Sequence, residues 1–383
     1  MPQQVPLHEK YLEMSPAELQ DRIARRKEEL GSDLCILGHH YQSDEIVELA
    51  DFVGDSLKLS QQAASRKDAK YIVFCGVHFM AESAAVLSTD DQAVCLPHLF
   101  AGCNMADMAD ATDVQAAMEE LEARCGGPIV PVTYVNSTAA VKAVTARAGG
   151  ACCTSSNARN VFEWALRARS QGGGAGKKVL AIPDQHLGRN TAVAMGYSTE
   201  DCAVYDPHLL SGGLADDDLA RATFVLWKGH CYVHQVFKPD HVRKVRAKHP
   251  DIFVIVHPEC PYEVVGLSDA SGSTEQIIRA VTAGSPGSKW AVGTESNLVN
   301  RLARRHGDRF VRILSEVPSF CAMMARIDLP HLLWVLDNLA EGKTVNRITV
   351  APDVAADARV ALERMIAIKP LAEATPTRPA EAH

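Results

Sequence analysis

The 383-residue sequence has no C-x-x-C pair, no block of basic residues and no apolar run of membrane-spanning length. Each absence removes a class of protein. Without cysteines paired at that spacing, a zinc ribbon and a ferredoxin-type cluster motif are excluded. A net charge of −8 with no basic stretch argues against nucleic acid or an anionic membrane surface as a partner. The opening segment MPQQVPLHEKYLEM lacks the apolar centre of a secretion signal, so the expected location is the cytoplasm. A reducing compartment then excludes a disulfide framework, although the chain carries 11 cysteines, an odd number. What is present is the composition of a globular protein, 47% hydrophobic and 22% charged, too long for one ordinary core.

The chain repeats itself three times. An apolar, strand-like run ends on polar residues able to do chemistry: at His39 and Tyr41, at Tyr134 and Asn136, and at His257 and Glu259. Each run is followed by a hydroxyl-bearing cluster that opens a helix: Gly54-Asp55-Ser56, Thr154-Ser155-Ser156-Asn157, and Gly272-Ser273-Thr274-Glu275. A second strand and a turn come next. A third strand then leads to a cysteine: Cys103, Cys231 and Cys321. Cys75 to Cys103 and Gly293 to Cys321 are both 28 residues apart. The matching interval from Pro183 to Cys231 is 48, and its surplus, containing YDPHLLSGGLADDD, reads as an inserted surface loop. Helices join the copies, the first running from Ser15 to Leu30 with Ser15-Pro16 at its head and Glu18 completing a capping box.

Strands alternating with helices imply parallel sheets with helices on both faces. The expected fold is therefore α/β: three pseudo-symmetric, three-layer αβα domains with short parallel sheets around a central active site. The expected divisions are an N-terminal helical segment (1–31), a first repeat (32–126), a second (127–249) with an inserted loop at 191–220, a third (250–350), and a C-terminal helix with a flexible tail (351–383). The Pro- and Ala-rich EATPTRPAEAH reads as disordered.

In parallel α/β sheets, ligands bind beyond the carboxyl ends of the strands. Helix starts there offer N–H groups to phosphates and carboxylates, although each of Asp55, Ser155 and Ser273 taken singly is explained by capping. Three cysteines without close sequence pairing suit a metal centre with an open position, either zinc or a [4Fe–4S] cluster. Cys35, Cys75, Cys95, Cys152, Cys153 and Cys260 read as core residues, and Cys125 and Cys202 as surface or loop. His39, Tyr41, Tyr134, His257 and Glu259 are acid–base candidates. Asn136 can orient a carboxylate or an imine, and Pro258 fixes the turn that aims Glu259.

The ordered motifs GHHYQSDEI, ADFVGDSLKLS, FCGVHFMAESAAVL, AGCNMADM, YVNSTAAVKA, CTSSNA, IPDQHLGRNTA, WKGHCYVH, VHPEC, GST and VGTESNLVNRL resemble those of the quinolinate synthase family, in its longer-chain form. The resemblance runs from about Cys35 to the C-terminal helix. It implies an enzyme of de novo NAD biosynthesis that condenses iminosuccinate with dihydroxyacetone phosphate to give quinolinate, phosphate and water. It implies a non-redox [4Fe–4S] cluster held by Cys103, Cys231 and Cys321, with one iron open as a Lewis acid. Family substrate-binding positions fall on His39, Ser56, Tyr134 with Val135, Asn136, Ser155, His257 with Pro258, Glu259 and Thr274; Tyr41 matches a further active-site tyrosine. Because an imine hydrolyses readily, transient contact with L-aspartate oxidase is a candidate partnership, though no docking motif is visible. Two other readings compete: a zinc-dependent lyase or aldolase built on the same cysteines, and a regulatory protein that senses an anionic metabolite.

Overall fold

Strands that are apolar along their whole length need cover on both faces, which is the signature of parallel sheets. The computed structural model, which describes residues 4–168 and 178–368, meets that need three times. The first sheet comprises β1 (Leu34–His39), β2 (Phe52–Gly54), β3 (Tyr71–Cys75) and β4 (Ala93–Cys95), in the order β2-β1-β3-β4. The second comprises β5 (Val130–Tyr134), β6 (Ala151–Cys153), β7 (Val179–Ile182), β8 (Cys202–Tyr205) and β9 (Phe224–Trp227), in the order β6-β5-β7-β9-β8. The third comprises β10 (Phe253–Val256), β11 (Ala270–Ser271), β12 (Lys289–Gly293) and β13 (Phe310–Ile313), in the order β11-β10-β12-β13. All these pairings are parallel. With β8 set aside, the three orders are the same, so the sequence repeat is a repeat of topology. The central strands β1, β3 and β5 are buried at every residue.

Two compact units hold these sheets. One runs from the N-terminus to Cys103, takes in Phe320–Pro352, and carries the first sheet. Its helix Pro16–Leu30 starts as its sequence predicts: Glu18 N donates to Ser15 Oγ at 3.3 Å, and Ser15 N donates to Glu18 Oε2 at 2.8 Å. The helix packs its buried Leu19 and Ile23 side toward the helix Leu329–Ala340. There the buried Asp337 accepts from Tyr11 Oη at 2.9 Å, Arg22 Nη2 at 2.8 Å and Arg26 Nε at 2.7 Å. The open edge of β4 is closed by the following chain: Leu96 N donates to Asn346 O, and Ile348 N to Val94 O.

The other unit comprises Asn104–Ser319 and the chain from Asp353, and carries the second and third sheets. Its C-terminal helix Pro352–Ala367 buries Ala358, Ala361, Leu362 and Met365. Asn157 Nδ2 donates to Met365 O at 3.0 Å, and Arg147 pairs with Asp357 at 2.8 Å. The tail read as disordered lies outside the described residues. Among the described residues no helix is long and apolar enough to cross a membrane.

Two expectations are corrected. The insertion read as a loop over 191–220 contains β8, which pairs with β9, and the short helix Asp216–Arg221. Along β8, Ala203 and Tyr205 are buried while Cys202 and Val204 are half-buried, the alternation of an edge strand. Cys202, expected on the surface or in a loop, is thus a strand residue. Gly- and Asp-rich flanks hid a strand of four residues. The short strands β2, β6 and β11 also escape a periodicity reading, being two or three residues long.

Asp337 ties two helices together by accepting three hydrogen bonds while buried. Asp337→Ala strands two half-exposed guanidinium groups and should lower stability by about 2–3 kcal/mol, read as a lower urea midpoint. An unchanged midpoint would mean that apolar packing alone holds the helix pair.

Candidate functional site

In the first unit His39 ends β1 and is buried. Its Nδ1 accepts from Tyr41 N at 3.1 Å, and its ring meets the Tyr41 ring edge-on at 4.7 Å. The neighbouring strand brings Gly54 beside His39, so the helix Ser56–Ser65 starts at the same strand edge. Asp55 caps that helix, accepting from Lys58 N at 2.9 Å, and Ser56 takes the first helical position. In the third repeat Ser273 is the cap and Thr274 the first helical residue. Capping therefore accounts for Asp55 and Ser273. Ser155 lies instead in a turn held by Asn157 Oδ1, which accepts from Thr154 N at 2.8 Å, and the helix begins at Ala158.

The second unit brings several polar groups together where β5, β7, β9, β10 and β12 end. Glu259 is 3% exposed and His234 is 1% exposed, and His234 Nδ1 lies 2.6 Å from Glu259 Oε2. Tyr134, at the end of β5, also hydrogen-bonds the Glu259 carboxylate. The His257 ring stacks on His234 at 4.4 Å and 14°, and its Nδ1 accepts from Glu259 N at 3.3 Å. Thr294 Oγ1 lies 3.1 Å from His234 Nε2. Asn190, in the helix Gln185–Ala194, donates to both Pro258 O and Cys260 O at 2.8 Å and so pins the turn carrying Glu259.

The electrostatics sort these groups into roles. Burial pushes the Glu259 carboxyl upward, but the His234 and His257 imidazoles and the hydrogen bonds from His234 and Tyr134 outweigh it, so the group is held below the usual range. Burial, then His234, pushes His257 down to about 3. Burial, then the Glu259 charge, pushes the Asp184 carboxyl well above its ordinary range. Asp184 Oδ1 accepts from His186 N and Leu187 N at 2.8 Å, while Oδ2 has no hydrogen-bond partner among the described residues. A carboxyl held below its ordinary range and one pushed above it thus lie in one buried region, the kind of difference that separates base from acid.

Tyr134, His257 and Glu259, named from the sequence, meet here. Val135 and Asn136 follow β5 directly, and Asn136 Oδ1 is buried without a hydrogen-bond partner among the described residues. Pro258 is held through its carbonyl. His234, Thr294, Asp184 and Asn190 were assigned no role from the sequence. One signal was available: Asp184 and Glu295 each stand two residues past the third strand of their repeat's sheet and cap the next helix.

The cysteines divide sharply. Cys35, Cys75, Cys95, Cys152, Cys153 and Cys260 are buried, as expected for core residues, and burial pushes their thiols up. Cys125 and Cys202 are also pushed up by burial. A thiol kept protonated is a poor metal ligand. Cys103, Cys231 and Cys321 are half-buried and lie on the connections that leave β4, β9 and β13, one for each sheet. Gly229 sets the path to Cys231, since a Cβ there would lie 2.3 Å from Pro183 O. Among the described residues one trio of metal-ligating types converges: Cys231, His234 and Glu259, with ligand atoms within 4.8 Å of one another. Two atoms bound to one zinc ion at tetrahedral angles stand roughly 3.3 Å apart. The 2.6 Å approach of His234 to Glu259 is therefore a hydrogen bond, and it leaves the Cys231 sulfur as the soft ligand. A metal centre held through cysteine sulfur is compatible with this donor chemistry.

An ionised carboxylate, a neutral imidazole and a phenol buried beyond parallel strands equip an α/β enzyme to move protons on a small substrate. The comparisons define the family. Residues 21–367 match the family described as Quinolinate synthetase A protein. The quinolinate synthase of Streptomyces coelicolor is 52% identical over 358 residues, covering 92% of this chain and 89% of that protein. That of Bacillus cereus is 50% identical over 360 residues, covering 94% and 96%. That of Anoxybacillus flavithermus is 49% identical over 367 residues, covering 96% and 98%. The chain belongs to the quinolinate synthase family.

His257 and His186 stay neutral in the folded chain at pH values where the unfolded chain binds protons. Burial sets His186 at about 4, against an unfolded value near 6.5. Their contribution is complete above that unfolded value and is lost as pH falls, by about 1.4 kcal/mol per pH unit for each ring. The melting temperature should drop between pH 7 and pH 5, and His186→Gln should make the drop shallower. An identical slope in that variant would show that the ring takes up its proton while folded.

Proposed function

We propose that this chain is a quinolinate synthase that condenses iminosuccinate with dihydroxyacetone phosphate, releasing quinolinate, phosphate and water. One observation carries the reading at the level of the site: Glu259 is buried yet held ionised by His234 and Tyr134, beside a neutral His257. Family membership over nearly the whole chain supports the choice of reaction.

In this reading Glu259 accepts the protons that isomerisation of the triose and ring closure must release, and Tyr134, Tyr41 and His257 hold and return them. The phosphate of dihydroxyacetone phosphate is taken by the helix start at Ser56 and by Ser155, whose N–H and hydroxyl groups stabilise the charge of the leaving phosphate. His39, Val135, Asn136, Pro258 and Thr274 orient the two carboxylates and the imine. Cys103, Cys231 and Cys321 hold a [4Fe–4S] cluster. When bound, that cluster supplies a Lewis-acidic iron for a hydroxyl or carboxylate of the substrate. The chain works in the cytoplasm, and a transient partner such as L-aspartate oxidase hands over the imine before water destroys it.

Anaerobically purified protein should contain iron and acid-labile sulfide and form quinolinate from the two substrates. Cys103→Ala, Cys231→Ala and Cys321→Ala should each abolish iron, sulfide and turnover, whereas Cys125→Ala should leave all three intact. One zinc and no sulfide would favour the zinc lyase reading. A cluster-loaded protein without turnover would favour a metabolite sensor. An intact cluster in any of the first three variants would remove that residue from the ligand set.

A further inference from the structure

The helix Ala139–Arg147 follows β5 and carries a fully buried lysine, Lys142. A lysine head group taken out of water needs acceptors at fixed places. Lys142 Nζ donates to Ser137 O, the carbonyl five residues back, in the segment that joins β5 to the helix. That segment is a tight reversal. Ser137 N donates to Val135 O at 2.8 Å, a γ-turn with Asn136 at its centre. Val135 N in turn donates to Cys153 O at 2.8 Å, at the end of β6. Both neighbours of Asn136 are therefore held, Val135 by the sheet and Ser137 by the lysine. The Ser137 side chain has no share in this, since its Oγ is buried without a hydrogen-bond partner among the described residues. Lys142 acts on the backbone.

The helix that carries the lysine is tied to the strand that enters the turn. Thr138 caps the helix, accepting from Val141 N at 3.3 Å. Thr145 Oγ1 donates to Val141 O at 2.9 Å and is bonded to Thr133 Oγ1 on β5. Strand, turn and helix thus form one closed set of hydrogen bonds, with Lys142 Nζ as the link from helix to turn. Asn136 Oδ1 is buried without a hydrogen-bond partner among the described residues, so no such bond fixes that oxygen, and its direction follows the backbone beneath it. We propose that Lys142 is a positioning residue: its buried Nζ grips the Ser137 carbonyl and so fixes the turn that presents Asn136 to a substrate carboxylate. A charge-assisted bond to that carbonyl holds it more firmly than a neutral donor does, and a preset amide loses less freedom when the substrate arrives.

The proposal rests on the substrate-orienting role given to Asn136. The probe is quinolinate, the dicarboxylate product, whose Kd calorimetry reads on anaerobic, iron-loaded protein without any turnover. No binding by the unmodified protein would overturn the proposed reaction, and the clamp with it. Asn136→Ala should raise Kd about tenfold, the scale of one hydrogen bond to a charged group. An unchanged Kd there would end the Asn136 role, and the clamp would fall with it. Lys142→Met keeps the length of the side chain and removes the donor; it should also raise Kd about tenfold, with iron content unchanged. Because the lysine acts through Asn136, adding Lys142→Met to Asn136→Ala should raise Kd little beyond Asn136→Ala alone. With Asn136→Ala weakened, three results would overturn the clamp by itself: an unchanged Kd in Lys142→Met, single effects that multiply in the double variant, or loss of iron from Lys142→Met. Lys142→Gln, whose shorter side chain falls short of the Ser137 carbonyl, takes the place of Lys142→Met under the same criteria if that variant does not fold.

Discussion

A carboxylate removed from water must find partners or take up a proton, and Glu259 is almost wholly removed from water. Its environment resolves this by supplying partners. His234 and Tyr134 bond to the oxygens, His257 lies alongside, and Asn190 fixes the backbone of the turn. These residues come from the ends of different strands and from the helices that follow them. The acid–base centre therefore exists only once the second and third sheets have packed within their unit. Asp184 goes the opposite way, since burial and then the Glu259 charge push its carboxyl well above its ordinary range.

The threefold repeat makes such a centre economical to build. Parallel strands place their carboxyl ends on one edge of a sheet, and each repeat brings to the edge of its own sheet a polar strand end, a helix start and a cysteine-bearing connection, to which the second and third repeats add the helix caps Asp184 and Glu295. The repeats then diverge in what they place there. His39 closes the first strand of the first repeat, Tyr134 that of the second, and His257 follows that of the third. The other eight cysteines have thiols that burial pushes up, which disfavours them as ligands.

Much of this was legible in the residues because it is local. Ser15, Pro16 and Glu18 announce a helix start, and the buried runs before His39, Tyr134 and His257 announce strands ending in chemistry. The six core cysteines sit in apolar surroundings that the sequence displays directly. Other parts were hidden for physical reasons. β2, β6 and β11 are two or three residues long and carry no period, whereas β4, equally short, shows through the apolar run that leads to Cys103. β8 is screened by the turn-forming residues around it. His234 and Thr294 act across a gap of sixty residues that only packing closes.

The fifth strand of the second sheet shows how this architecture absorbs length. β8 precedes β9 in the chain but lies outside it in space, so the excursion leaves one rim of the sheet and returns to it. Between them β7 and β9 remain direct neighbours, and Gln185 N still reaches Gly229 O at 3.0 Å. The separation of Asp184 from the Cys231 connection is thus uncoupled from how many residues lie between them. Such a rim is where a lineage can add or shed material while the catalytic end keeps its dimensions.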